Sequence, residues 1–335
     1  MKKIPSLASL AVCALVACGD DPAAPTGGTA PVLNEDLGVL FPVDNWWNQD
    51  VSTAPVDAGS DDFIDWICDR AAPTDPCDAQ LHPDFGPPPY GVPYLGVAGE
   101  QPLEPVTFVL YGAERSAGAP GRPDGYPTPV QARTEAGWIE GGEPGGGASG
   151  DRHLLVVDRD RRLLFELWAT RWNAGAGRWE AGSGAVFDLA SNDRRPEGWT
   201  SADAAGLAVL PGLVKAHEFQ AGTPIRHAFR VTLRATNGHV WPASHTAGST
   251  TEAPPMGARL RLKSTVDLSA YPPDVRRIFE AMKAYGLIVA DNGSDMYVQG
   301  TMDAAWDNGV LNPAFHALTA DDFEVVELGW QPPGP

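Results

Sequence analysis

Glycine and proline recur so often along this chain that they cut it into many short segments. Glycine frees the backbone and proline removes a hydrogen-bond donor, so long helices are disfavoured and a sheet-based fold is expected. One stretch escapes the pattern. After Pro272 and Pro273, the residues Val275, Ile278, Phe279, Met282 and Tyr285 recur at helical spacing, and Gly286 supplies a stop. A shorter helix is expected over Asp61 to Arg70, with Phe63, Ile64, Trp66 and Ile67 on an apolar side, and a helical turn over Ser201 to Leu210.

The remaining apolar runs read as strands. His153 to Asp158 and Leu163 to Trp168 form a hairpin across Arg159-Asp160-Arg161-Arg162. In Ile225 to Thr236 the residues Ile225, His227, Phe229, Val231 and Leu233 share one face, and Arg226, Arg230, Thr232 and Arg234 the other. Further strands are expected at Val106 to Tyr111, Arg178 to Leu189, Ala258 to Lys263, Leu287 to Ala290, Met296 to Gln299 and Phe323 to Leu328. No repeat of fixed period and no linker interrupts the pattern. The expectation is one mainly β domain over 32–330, an antiparallel β-sandwich or jelly roll with a few short helices.

The start of the chain carries an address. Lys2 and Lys3 precede the apolar run Ser6 to Ala17, the layout of a secretory signal peptide. Leu15-Val16-Ala17-Cys18, followed by Gly19, resembles the bacterial lipoprotein signal. The resemblance implies cleavage after residue 17 and a lipid on Cys18. Residues 18–31, rich in Gly, Ala and Pro, then read as a flexible tether. No other stretch approaches 18 consecutive apolar residues, so the lipid is the expected link to the membrane, in the cell envelope or at the cell surface. The formal charge is −19, and loss of the two lysines makes it −21. With no basic stripe visible, nucleic acid is excluded as a partner. Cys13 leaves with the signal. Cys68 and Cys77 remain, and two cysteines in an exported protein are expected to form a disulfide.

Common catalytic motifs are missing. The glycine run at 141–147 lacks the Gly-Lys-Ser/Thr ending of a phosphate loop, and neither Gly-x-Ser-x-Gly nor His-Glu-x-x-His occurs. No cofactor or metal is expected. The segments Phe41-Pro42-Val43-Asp44-Asn45-Trp46-Trp47-Asn48, Ser149-Gly150-Asp151-Arg152-His153, Trp241-Pro242-Ala243-Ser244-His245 and Tyr285 to Gly293 are similar to those of a group of exported bacterial proteins. That resemblance spans most of the mature chain and brings no functional residues with it.

Site candidates therefore come from polar groups inside or beside apolar strands, where burial is costly unless compensated. His227, His245, Glu166, Asp188 and Asp291 are the catalytic candidates. His227 and His245 are expected to converge with at least one of those carboxylates on one concave surface. Trp241, Trp168, Arg230, Asn292 and His153 are the substrate-binding candidates, because indole faces stack on sugar rings and charged or amide groups bind hydroxyls. His153 and Glu166 are expected to be cross-strand neighbours. Each residue also has a plain structural explanation as a turn, core or ion-pair group. The expected function is a carbohydrate-active surface enzyme acting on a poly- or oligosaccharide. Two carboxyl groups would make it a hydrolase, and a His base with a cationic neutraliser a lyase. The alternative is a non-catalytic surface protein that binds glycan or another protein.

Overall fold

The computed structural model describes residues 30–332 except 71, 73 and 74. The expected signal peptide, Cys18 and the tether up to residue 29 lie outside the described residues. In chain order the strands are β1 (Val32–Leu33), β2 (His82–Gly86), β3 (Tyr94–Val97), β4 (Val106–Phe108), β5 (Leu154–Asp158), β6 (Leu163–Trp168) and β7 (Arg171–Asn173). They continue as β8 (Arg178–Ala181), β9 (Ser183–Asp188), β10 (Phe229–Leu233), β11 (Arg259–Leu262), β12 (Leu287–Asn292), β13 (Tyr297–Met302) and β14 (Phe323–Val325). The helices are α1 (Ser60–Ile67), α2 (Gln131–Thr134), α3 (Ala216–Ala221), α4 (Pro273–Ala284) and α5 (Asn308–Phe315).

Strand outweighs helix, as the punctuation of the sequence implied, and the hairpin and α4 lie where periodicity put them. Helix α5 carries Pro313 in its interior and was not anticipated. The stretch 201–210 is irregular rather than helical, and a short 3-10 turn follows at Leu210–Gly212.

The strands form three mixed sheets, ordered β1-β3-β5-β6-β9, β14-β11-β12-β10-β13-β2 and β4-β8-β7. The antiparallel expectation is corrected here. The pairs β3/β5, β4/β8, β10/β12 and β13/β2 run parallel. Residue alternation reports which face a side chain takes, not the direction of the neighbouring strand, and the long connections between these strands leave room for parallel crossovers.

The five-stranded sheet is buried on both faces. Leu154, Val156, Phe165, Leu167 and Val186 meet Trp179 and Ala181 of the small sheet in one apolar cluster. Leu155, Val157, Leu164, Ala185 and Phe187 join the main core instead. That core also takes in α4, through Val275, Ile278, Phe279 and Met282, together with Phe229, Val231, Leu233, Leu287 and Val289 of the six-stranded sheet. The strand faces that carry Glu166 and Arg230 hold the irregular segment 199–214, and this segment positions the site.

The disulfide between Cys68 and Cys77 is present, with Cα atoms 4.7 Å apart. It ties the C-cap of α1 to the approach to β2. Closing so short a loop contributes about 2–3 kcal/mol, mainly by restricting the unfolded chain. No helix among the described residues is long and apolar enough to cross a membrane.

Candidate functional site

Register fixes which side chains meet. On β10, Arg230 and Thr232 point away from Phe229, Val231 and Leu233. Val231 pairs with Val298 and Thr232 with Tyr297, so Gln299 of β13 shares the Arg230 face. Gln299 in turn pairs with Asp84 of β2. On the other side, Arg230 pairs with Ile288 and Val231 with Val289, but Thr232 then pairs with Asp291. The extra residue, Ala290, is a bulge. Without it Asp291 would follow the parity of Val289 and point to the other face; with it Asp291 joins Arg230. Asp84, Gln299, Arg230 and Asp291 therefore line one face of the sheet.

The floor of this cluster is an ion pair out of contact with water. Arg230 donates from Nε to Asp203 Oδ2 (3.2 Å) and from Nη2 to Asp203 Oδ1 (2.7 Å). Their side chains are 1% and 0% exposed. Arg230 Nη1 is buried with no partner, as is Gln299 Oε1. Burial alone would make the guanidinium less basic, but the Asp203 carboxylate more than offsets that and holds it charged.

Three carboxyl groups of the cluster, Asp291, Glu140 and Asp84, are partly exposed. The Asp291 side chain is 32% exposed, with Oδ2 3.9 Å from Arg230 Nη2. Its pKa is pushed up to about 6, by burial first and then by the charge of Asp203. Glu140 is 19% exposed and moves the other way. Burial would raise it, but the adjacent His153 more than offsets this and holds the carboxyl below its usual range. Asp84 accepts from Gln299 Nε2 (3.1 Å) and is raised, chiefly by burial.

His153 sets the opposition between these groups. Its Nδ1 lies 2.7 Å from Glu140 Oε2 and its Nε2 3.0 Å from the Ala202 carbonyl oxygen. Both partners only accept, so both ring nitrogens carry hydrogen and the ring is a cation. Burial lowers its pKa, yet the Glu140 charge raises it to about 9 overall. This pair gives a measurable pH dependence. An unfolded histidine titrates near 6.5 and the folded one near 9. The stabilisation is complete below pH 6.5 and is lost as pH rises through 9. Urea unfolding is expected to show stability falling by roughly 3 kcal/mol between those limits, because each tenfold change in proton affinity is worth about 1.4 kcal/mol. The step should vanish in His153→Gln, whose amide does not titrate. A wild-type profile flat across that range rules the buried cation out.

Glu166, a catalytic candidate from the sequence, lies inside the fold, away from solvent. It is wholly buried and accepts from the backbone N–H of Val209 (2.9 Å) and Leu210 (2.9 Å). Burial, opposed by those bonds, raises its pKa to about 7. It anchors the 199–214 segment to the five-stranded sheet, as Arg230 anchors Asp203 to the other. Leu155, not His153, lies directly opposite Glu166, and His153 is its diagonal neighbour on the same face.

The expected convergence of His227 and His245 does not occur. His245 Nδ1 lies 2.7 Å from the Ala204 carbonyl oxygen, a local bond beside the same segment. Asn292 donates to the Ala247 carbonyl oxygen (3.2 Å). Asp188 Oδ1 accepts from the Ala190 N–H (2.8 Å) at the turn after β9, apart from the cluster. Trp241 stands edge-on to Trp46 at 6.2 Å between ring centres. Trp168 Nε1 donates to Asp151 Oδ1 (3.1 Å), and a Cβ at Gly182 would come within 2.6 Å of the Trp168 ring. Glycine there lets the half-buried indole lie on the backbone, held at one edge.

His227 belongs to a separate place. It lines a cavity of about 210 Å³ with Lys215, His217, Glu218 and Arg226. Asp84, Glu140, Asp203 and the bulge that turns Asp291 were not singled out in the sequence. The usable signal was Asp203, one acid inside the small and apolar run Ala202 to Leu213 with no cation near it in sequence. Compared with known proteins, the chain matches no family model, no curated protein and no solved structure.

Proposed function

We propose that this protein is a glycan hydrolase, with Asp291 as the proton donor and Glu140 as the ionised partner carboxylate. The observation that carries this reading is the opposite displacement of two partly exposed carboxyl groups beside one buried guanidinium. Glycosidic bond cleavage needs one carboxyl group that keeps its proton near neutral pH and one that does not. Arg230 keeps the excess of acids together and lowers the pKa of both. Trp168, held by Asp151, offers an indole face for a sugar ring. A lyase is less well supported. Of the proposed bases, His227 is away from the acids and His245 is bonded to Ala204. The sheets are read as sandwich-like layers that press the 199–214 segment into place.

The test is a polysaccharide panel with the full-length protein, reading reducing ends and the ultraviolet absorbance of unsaturated products in parallel. New reducing ends without that absorbance are expected. Absorbance appearing with the reducing ends would replace hydrolysis by elimination. Tight binding without cleavage would leave a glycan-binding protein.

We also propose that the protein is exported and held to the bacterial envelope by a lipid on Cys18. Cys18→Ser should move it from the membrane fraction to the soluble fraction; continued sedimentation with membranes disproves the anchor.

A further inference from the structure

Around His227 the chain buries a lysine with too few partners. Lys215 is 5% exposed. Its Nζ lies 3.1 Å from His227 Nε2, and only 3.5 Å contacts reach the Leu213 carbonyl oxygen and Glu218 Oε1. His227 Nδ1 donates to the Ala228 carbonyl oxygen (2.9 Å). A neutral His227 can accept one ammonium hydrogen at Nε2. A protonated one turns Nε2 toward Glu218 Oε2, 3.0 Å away, and deprives Lys215 of its closest acceptor. In either state at least one ammonium hydrogen lacks a close acceptor, a costly arrangement for a buried cation.

The negative groups of this cavity are already engaged. Glu218 faces Lys215 and His227, and those two charges overcome burial to keep it strongly ionised. Asp36 accepts from the Gly38 N–H (2.9 Å) and lies 3.5 Å from His217 Nε2. Burial lowers the His217 pKa, so that ring is neutral at pH 7. Arg226, exposed on the cavity wall, makes no ion pair or side-chain hydrogen bond among the described residues. The cations Lys215 and Arg226 are matched in number by Glu218 and Asp36, but neither has a close carboxylate partner: Lys215 Nζ lies 3.5 Å from Glu218 Oε1 and Arg226 pairs with none among the described residues. Val39, Leu40, Pro224 and Ile225 supply apolar lining. A volume of about 210 Å³ is below the usual range for a large ligand.

We propose that this cavity is a second binding site that takes a single acidic sugar unit, a monosaccharide carrying a carboxylate, at Lys215 and Arg226. The carboxylate completes the hydrogen bonding of Lys215 and pairs with Arg226. Ring hydroxyls donate to the Glu218 carboxylate, and the C–H face of the ring lies on Val39 and Ile225. None of the site's lining residues belongs to the acid cluster. It does not depend on the hydrolase reading.

Calorimetric titration of the full-length protein with sodium D-glucuronate, D-glucose and sodium acetate tests this. Glucuronate should bind at least tenfold tighter than either of the others. Arg226→Ala, at an exposed position, should weaken glucuronate at least tenfold. Lys215→Met should abolish its binding, with circular dichroism reporting whether that variant folds; if it does not, Arg226→Ala decides alone. Asp291→Asn should bind glucuronate as the wild type does. The proposal is overturned if glucuronate fails to bind, or if glucose equals it. Acetate equalling it would mean a bare anion site and also overturns it. So does an Arg226→Ala variant with wild-type affinity, or loss of binding in Asp291→Asn, which would place the ligand at the acid cluster.

Discussion

Asp291→Asn is expected to lower kcat on the glycan that the wild type cleaves by roughly 10²–10⁴-fold, the usual contribution of a positioned proton donor. The amide keeps the size and the contact to the Arg230 side but has no acidic proton to give. The pH profile sharpens the claim. Asp291 titrates near 6, so the protonated, active form declines above that pH and the wild-type rate should fall on the alkaline side with it. In Asp291→Asn the residual rate should lose this alkaline limb. Glu140, held ionised by His153, sets the opposite limb at lower pH. Its exchange for Gln should remove the acid limb and loosen His153 as well, since Nδ1 loses its charged acceptor. A variant that retains wild-type kcat and the same alkaline limb would take Asp291 out of the chemistry.

How much of this was legible beforehand depended on the range of the interactions. The hairpin β5/β6 and helix α4 were readable because their patterns are local: alternation across one turn in the first, apolar residues at helical spacing in the second. Placing Arg230 opposite Phe229 and Val231 needed only the period of two, and it holds over β10, although the strand starts at Phe229 and leaves Ile225 outside it. The parallel partner of β10 was not readable, because β12 lies more than fifty residues on and pairing direction leaves no mark in either strand. Asp291 is a candidate from the sequence, but its meeting with Arg230 depends on the Ala290 bulge, which a turn-like Asp-Asn-Gly-Ser sequence does not announce. Glu166 and Asp188 look alike as strand acids. One accepts two backbone N–H groups from a segment more than forty residues away, and the other closes its own turn. His227 stands out as an imidazole among apolar residues, and that signal leads to a cavity, though not to the acids. Glu140 lies in a turn-rich stretch where no periodicity exists to mark it, and His153 reaches it across thirteen residues.

Arg230→Met is expected to be the most destabilising single exchange at this site, by about 3–5 kcal/mol, the range for breaking a buried ion pair from one side. The cost comes less from the lost attraction than from what remains. Asp203, 0% exposed, would keep a charge with no counter-ion, or take up a proton. Thermal or urea unfolding would register this directly. The second exchange tells the causes apart. In Arg230→Met/Asp203→Leu both charges are gone, and the pair contributes little net stability against apolar replacements, so much of the loss should be recovered. If the double variant is as unstable as the sum of both single variants, the pair is not the unit that holds the 199–214 segment. The same exchange reaches the chemistry through Asp291. Arg230 now lowers the Asp291 pKa against burial and the Asp203 charge. Without the guanidinium the Asp291 pKa rises above 6, and the alkaline limb of any folded Arg230→Met enzyme should move to higher pH. A limb that stays in place in a folded variant would mean that Arg230 supports the fold and leaves the Asp291 proton untouched.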